Sequence, residues 1–152
     1  MRYGFIGCGN MGGAVARAVC RGVGPENVVL ANRAPAKAEA LAEALGCRAA
    51  TNDVVAQDCD VIFLGVKPQM MAEALPALTG LGGGKTLFLS IAAGTSIAQY
   101  EGVLGAGTPI IRAMPNTPAA VSRGITAICG NALATEADMA LAEALLSAVG
   151  QV

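Results

Sequence analysis

Short, wholly apolar runs alternate along this chain with longer stretches in which alanine, leucine and valine recur among polar residues. The short runs read as strands buried on both faces, because a half-exposed strand would alternate apolar with polar positions. Residues 3–6, 28–31, 60–66, 86–91, 109–113 and 124–129 form this class, with 60–66 the strongest and 48–50 a minor addition. The longer stretches, residues 11–22, 36–45, 69–78, 96–104 and 135–149, read as helices. Boundary residues fit: Gly46 suits a helix C-cap, Thr135 an N-cap, and Asp53 is placed to cap a short helix reaching Gln57. Lys67-Pro68 ends the 60–66 strand, and glycines at 80–84 and 105–107 mark loops. Strands alternating with helices at this spacing predict parallel pairing through right-handed crossovers. The expected fold is α/β, a doubly wound, mostly parallel sheet in one domain over residues 1–152, whose last helix at about 135–150 leads toward a further domain.

At the first strand-to-helix junction stands Gly7-Cys8-Gly9-Asn10-Met11-Gly12. A GxGxxG pattern alone says little, but here it follows a strand and opens a helix, the context in which it holds a dinucleotide pyrophosphate. Gly7 permits the tight turn, Gly9 lets the backbone approach a phosphate, and Gly12 lets helix and strand pack closely. The helix then offers free N–H groups and a positive dipole end to the anion. Gly84-Lys85-Thr86 is a plain turn, since it lacks the earlier glycine of a nucleotide-binding P-loop and precedes a strand.

The end of the second strand discriminates between cofactors. An NAD site places a carboxylate there for the ribose hydroxyls, whereas this chain has Asn32-Arg33. An arginine pairs with the extra phosphate of NADP that a carboxylate would repel. NADP(H) is therefore expected over NAD(H), with Lys37 either adding charge or simply solvating its helix.

Composition narrows the partners. Ten Lys+Arg against eleven Asp+Glu leave no single-sign field for nucleic acid or an acidic membrane surface, so a small molecule is expected. Five scattered cysteines and no histidine argue against a zinc site or any other metal centre. An odd cysteine count, with no signal-like segment after Met1-Arg2 and no apolar run long enough to cross a membrane, leads us to expect a soluble cytoplasmic protein.

No histidine, serine triad or carboxylate cluster offers conventional acid–base catalysis, and hydride transfer to an activated acceptor does not require one. The candidates lie at strand ends. Ala92-Ala93-Gly94 is either a bland turn or a place where a nicotinamide approaches the backbone, and Lys67 is either an exposed charge or a site residue. Met114-Pro115-Asn116-Thr117-Pro118 is more pointed: two prolines stiffen a loop around a polar amide, which suits orienting a ring.

Five blocks together resemble the pyrroline-5-carboxylate reductase family over the whole chain: Phe5 to Gly12, Asn32-Arg33, Val66-Lys67-Pro68, Ser90-Ile91-Ala92-Ala93-Gly94, and Arg112-Ala113-Met114-Pro115-Asn116-Thr117-Pro118. The resemblance implies a Rossmann-type domain and hydride transfer from NADPH to the C=N bond of 1-pyrroline-5-carboxylate, an imine, giving L-proline. It implies that Ile6, Gly7, Cys8, Gly9, Asn10, Met11 and Gly12 hold the pyrophosphate, and that Asn32, Arg33 and Asn52 hold the adenosine and its phosphate. Val66, Lys67 and Pro68 with Ala92, Ala93 and Gly94 would line the path to the nicotinamide. Asn116 is the candidate catalytic residue beside the reactive ring, with Met114 and Pro118 on the substrate side. Ala34 departs from the family's usual hydroxyl residue, weakening NADP selectivity.

Length is the larger departure. Family members usually continue into an all-helical domain that forms a homo-oligomer and binds the substrate carboxylate, so this chain is expected to bind NADP(H) while reducing substrate poorly or not at all. A non-catalytic NADP-binding module is one rival reading. The other is a related NADP-dependent imine or deazaflavin-linked oxidoreductase, which would not share the Met114 to Pro118 loop.

Overall fold

The computed structural model describes residues 2–7, 10–32, 35–65, 86–91, 109–115, 124–131, 133–147 and 150–151. In chain order these form β1 (Tyr3–Ile6), α1 (Asn10–Val23), a 3₁₀ turn (Pro25–Asn27), β2 (Val28–Ala31), α2 (Pro35–Leu45), β3 (Arg48–Ala49), α3 (Asn52–Asp58) and β4 (Val61–Leu64). β5 (Leu87–Ser90), β6 (Ile110–Pro115), β7 (Gly124–Gly130), α4 (Glu136–Leu146) and β8 (Gly150–Gln151) follow. The helices expected at 69–78 and 96–104 lie outside the described residues.

The strands form a sheet in the order β3-β2-β1-β4-β5-β6-β7-β8. Through β6 every pair is parallel, as expected of a doubly wound sheet. β7 departs from that pattern, running antiparallel to β6 from Ile111↔Gly130 to Pro115↔Thr126, and β8 then pairs parallel with β7.

All four residues of β1, β2, β4 and β5 are buried, which explains their unbroken apolar sequence. Alternate residues feed two cores. Tyr3, Phe5, Leu30, Phe63 and Leu89 face α1, α2 and α4, while Ile6, Val29, Ile62, Leu64 and Phe88 face the side on which α3 packs. In the first core Phe5 and Phe63, register partners on β1 and β4, stack with ring centroids 4.4 Å apart and planes 4° from parallel.

Helix ends follow local chemistry, with two corrections. Gly46 has φ 75° and lets Cys47 N–H donate to Ala42 O at 3.0 Å, closing α2 as its sequence suggests. At α3 the cap is Thr51 instead of Asp53: Thr51 is extended and its hydroxyl accepts from Val54 N at 3.4 Å, which leaves Asp53 in the first turn. Thr135 caps α4 as expected, in a reciprocal pair with Asp138 at 3.1 and 3.0 Å. The helix itself ends at Leu146, short of 149, and Gly150 pairs with Gly124. No described helix is long and apolar enough to cross a membrane.

Candidate functional site

The strand order reverses direction beside β1. From β1 the chain proceeds outward through β2 and β3, then returns to place β4 on β1's other side. The carboxyl ends of β1 and β4 therefore lie at a topological switch point, the place where such sheets open a crevice and bind ligands.

Glycines line its floor. Gly7 continues β1 by donating its N–H to Ala31 O at 2.9 Å, then turns with φ 97°, a conformation that side-chain-bearing residues rarely adopt. Gly65 continues β4 in the same way, donating to Ile6 O at 2.8 Å. Both glycines converge with Gly12 of α1 on one atom, the Gly7 carbonyl oxygen. A Cβ at Gly12 would overlap that oxygen, and one at Gly65 would lie 2.8 Å from it and 3.6 Å from the Gly12 Cα. Helix α1 is thereby held against the end of the sheet with its first turn over the crevice. Of the residues expected to hold a pyrophosphate, Ile6 is buried in the second core, Gly7 and Gly12 take the positions just described, and Asn10 and Met11 open α1. Cys8 and Gly9 lie outside the described residues.

Gly65 was not singled out by sequence, though its signal was available: a glycine closing the strongest strand. Beyond it, Ile91 N–H, just after β5, donates to Leu64 O at 3.0 Å, and the sequence continues into Ala92-Ala93-Gly94. Those three residues, with Val66, Lys67, Pro68, Asn116 and Pro118, lie outside the described residues, and Met114 is placed within β6.

A second cavity, of about 340 Å³, sits at the carboxyl ends of β2 and β3. It is lined by Asn32, Pro35, Ala38, Glu39, Ala49, Ala50, Thr51 and Asn52. Asn32 and Asn52, twenty positions apart, are brought to one pocket because Ala50 N–H donates to Leu30 O at 2.8 Å, carrying the β2–β3 ladder past its last paired residues. Glu39 is the only charged lining residue among those described, and nothing in its local sequence marks it. Arg33 lies outside the described residues. Lys37 is exposed and does not line this cavity.

One buried polar atom stands out near the crevice. Arg112 pairs in register with the fully buried Ser90, and its Nε is buried without a hydrogen-bond partner among the described residues.

Known proteins share this arrangement. A pyrroline-5-carboxylate reductase from Escherichia coli (strain K12) is 42% identical over 142 residues, which cover 91% of this chain and 53% of that protein. A solved pyrroline-5-carboxylate reductase from Coxiella burnetii superposes with a TM-score of 0.87 at 32% identity, covering 99% of this chain and 57% of the other. One from Plasmodium falciparum, solved with NADP bound, gives 0.83 at 26% identity, covering 99% and 56%. The chain thus spans about half the length of the relatives it matches. A family model aligns with residues 2–94, a stretch that contains the three converging glycines and the whole lining of the second cavity. By that match the chain belongs to the family described as NADP oxidoreductase, coenzyme F420-dependent.

Proposed function

We propose that this chain binds NADP(H) in preference to NAD(H) and is the cofactor-binding half of a reductase that converts 1-pyrroline-5-carboxylate to L-proline. The observation that carries the reading is the convergence of Gly7, Gly12 and Gly65 on one carbonyl oxygen at the sheet's switch point, 42% identity to a pyrroline-5-carboxylate reductase lying behind it. A dinucleotide fits these residues. Among the described residues the crevice floor is glycine, and the neighbouring cavity falls within the ~300–1,000 Å³ of small-molecule sites.

In this reading the amides of residues 7–12 and the first turn of α1 face the pyrophosphate, which a Cβ at Gly9 would hold off. Asn32 and Asn52 bind the adenosine from two sides of the second cavity, and Arg33 pairs with the ribose phosphate. Val66, Lys67 and Pro68 with Ala92, Ala93 and Gly94 shape the path toward the reacting ring. When bound, the reduced nicotinamide supplies the hydride. Asn116, held by Pro115 and Pro118, orients the acceptor ring, with Met114 and Pro118 facing the substrate. The chain's own side chains need move no proton to activate a C=N bond that is already protonated. We place the protein in the cytoplasm and expect its full assembly to be a homo-oligomer.

Fluorescence titration with NADPH and NADH, followed by NADPH oxidation with pyrroline-5-carboxylate, tests this. NADPH is expected to bind more tightly than NADH, with turnover slow in this chain and restored when the family's other half is joined to it. Tight binding without turnover in the joined protein leaves only a cofactor-binding module.

A further inference from the structure

The cavity at the ends of β2 and β3 has a charge balance that its neighbours in sequence do not suggest. Seven of its eight described lining residues are uncharged, and the eighth, Glu39, is acidic. Glu39 is exposed on α2, one turn beyond Pro35, and forms no ion pair or hydrogen bond with a described residue. No basic residue of the described lining faces its carboxylate in a pocket that the preceding reading assigns to adenosine.

We propose that Glu39 is a specificity-determining residue of this pocket, whose carboxylate opposes a second phosphate on the adenosine ribose and so narrows the preference for NADP(H) over NAD(H). The inference rests on the dinucleotide reading above. NADH carries no charge on the ribose hydroxyls and is indifferent to Glu39. NADPH adds a phosphate of nearly two negative charges to that ribose, and like-charge repulsion across a water-filled pocket weakens binding by about fivefold at low ionic strength. Arg33 attracts the phosphate from the β2–α2 junction while Glu39 repels it from the helix face, so the selectivity of the chain is the difference of two opposed terms.

The test compares the chain with Glu39→Gln and Glu39→Lys by titrating NADPH, NADH, adenosine 2′,5′-bisphosphate and adenosine 5′-monophosphate. Glu39 is exposed, so neither substitution threatens the fold. Glu39→Gln is expected to tighten NADPH and the bisphosphate about fivefold, Glu39→Lys more, with NADH and the monophosphate within twofold of the parent. The gain should shrink toward nothing in 0.5 M salt, where the screening length is only about 4 Å. Equal shifts for all four probes, weakening of all four through loss of a contact to adenine, or no shift overturns this inference and leaves the dinucleotide reading standing. Failure of the unsubstituted chain to bind either cofactor overturns both.

Discussion

At the scale of single residues the site depends on what is absent as much as on what is present. Gly65 has no side chain, and an added methyl would sit 2.8 Å from the Gly7 carbonyl oxygen, a backbone atom already enclosed by Gly12. Backbone yields less than a flexible side chain, so Gly65→Ala is expected to displace the glycine loop, costing about 1–3 kcal/mol of stability and at least tenfold in NADPH affinity. Titration of the folded variant decides: unchanged affinity would show that the three-glycine convergence is packing alone. Arg33 offers the complementary experiment. Arg33→Ala should weaken NADPH by about 1.5–3 kcal/mol, the worth of a hydrogen bond between charged groups, while NADH changes little. Equal losses for both cofactors would mean that Arg33 does not read the phosphate.

The elements are held by their ends as well as by their faces. α4 begins with a reciprocal cap: the Thr135 hydroxyl accepts from Asp138 N at 3.1 Å and the Asp138 carboxylate accepts from Thr135 N at 3.0 Å. Immediately before it, the Asn131 side-chain oxygen accepts from Ile110, Leu133 and Ala134 at 3.1, 3.2 and 3.1 Å, tying the start of β6 to the turn that launches α4. Thr135→Val keeps the shape of the side chain and removes its acceptor. It is expected to lower stability by about 1 kcal/mol in urea unfolding with cofactor affinity unaltered, because α4 packs on α1 and β7 and contributes no residue to the second cavity's described lining. A loss of NADPH binding in the stable variant would contradict that separation. The same attention to ends explains what could be read in advance. The unbroken apolar runs of β1, β2, β4 and β5 identify strands whatever their neighbours, since all four residues of each are buried. The start of α3 was less legible, because Thr51, Asn52 and Asp53 are all good caps and only the extended backbone of Thr51, leaving β3, selects one of them.

For the molecule as a whole, the burial of three thiols gives a pH dependence. Burial pushes the Cys20 thiol up to about 12, with Cys47 beside it adding to the effect. Burial likewise raises Cys47, and raises Cys59 to about 11, where Asp58 and Asp60 reinforce the shift and Arg2 and Arg48 oppose it. In the unfolded chain these thiols ionise near 9.0. The unfolded state therefore releases its protons first as pH rises, so the stability these groups contribute is intact below about pH 9 and is lost progressively between there and the folded values near 11–12. Urea unfolding at pH 8, 9 and 10 should show falling midpoints, and Cys59→Ala should fall less steeply than its parent. Identical slopes would remove Cys59 from the explanation. Much of the molecule was already determined by its sequence: the alternation of strands and helices, the glycine loop at the first junction, and the caps at Gly46 and Thr135 all rest on interactions within a few residues of chain. The tertiary structure decided what depends on distant partners. The antiparallel direction of β7, the pairing of residues 150–151 as a strand at the end of the expected helix, the meeting of Gly65 with Gly7 and Gly12, and the arrival of Glu39 at a pocket with Asn32 and Asn52 have no local signature. The physical reason is that pairing direction and proximity are set by the lowest free energy of the whole sheet, to which a run of residues contributes only its half of each contact.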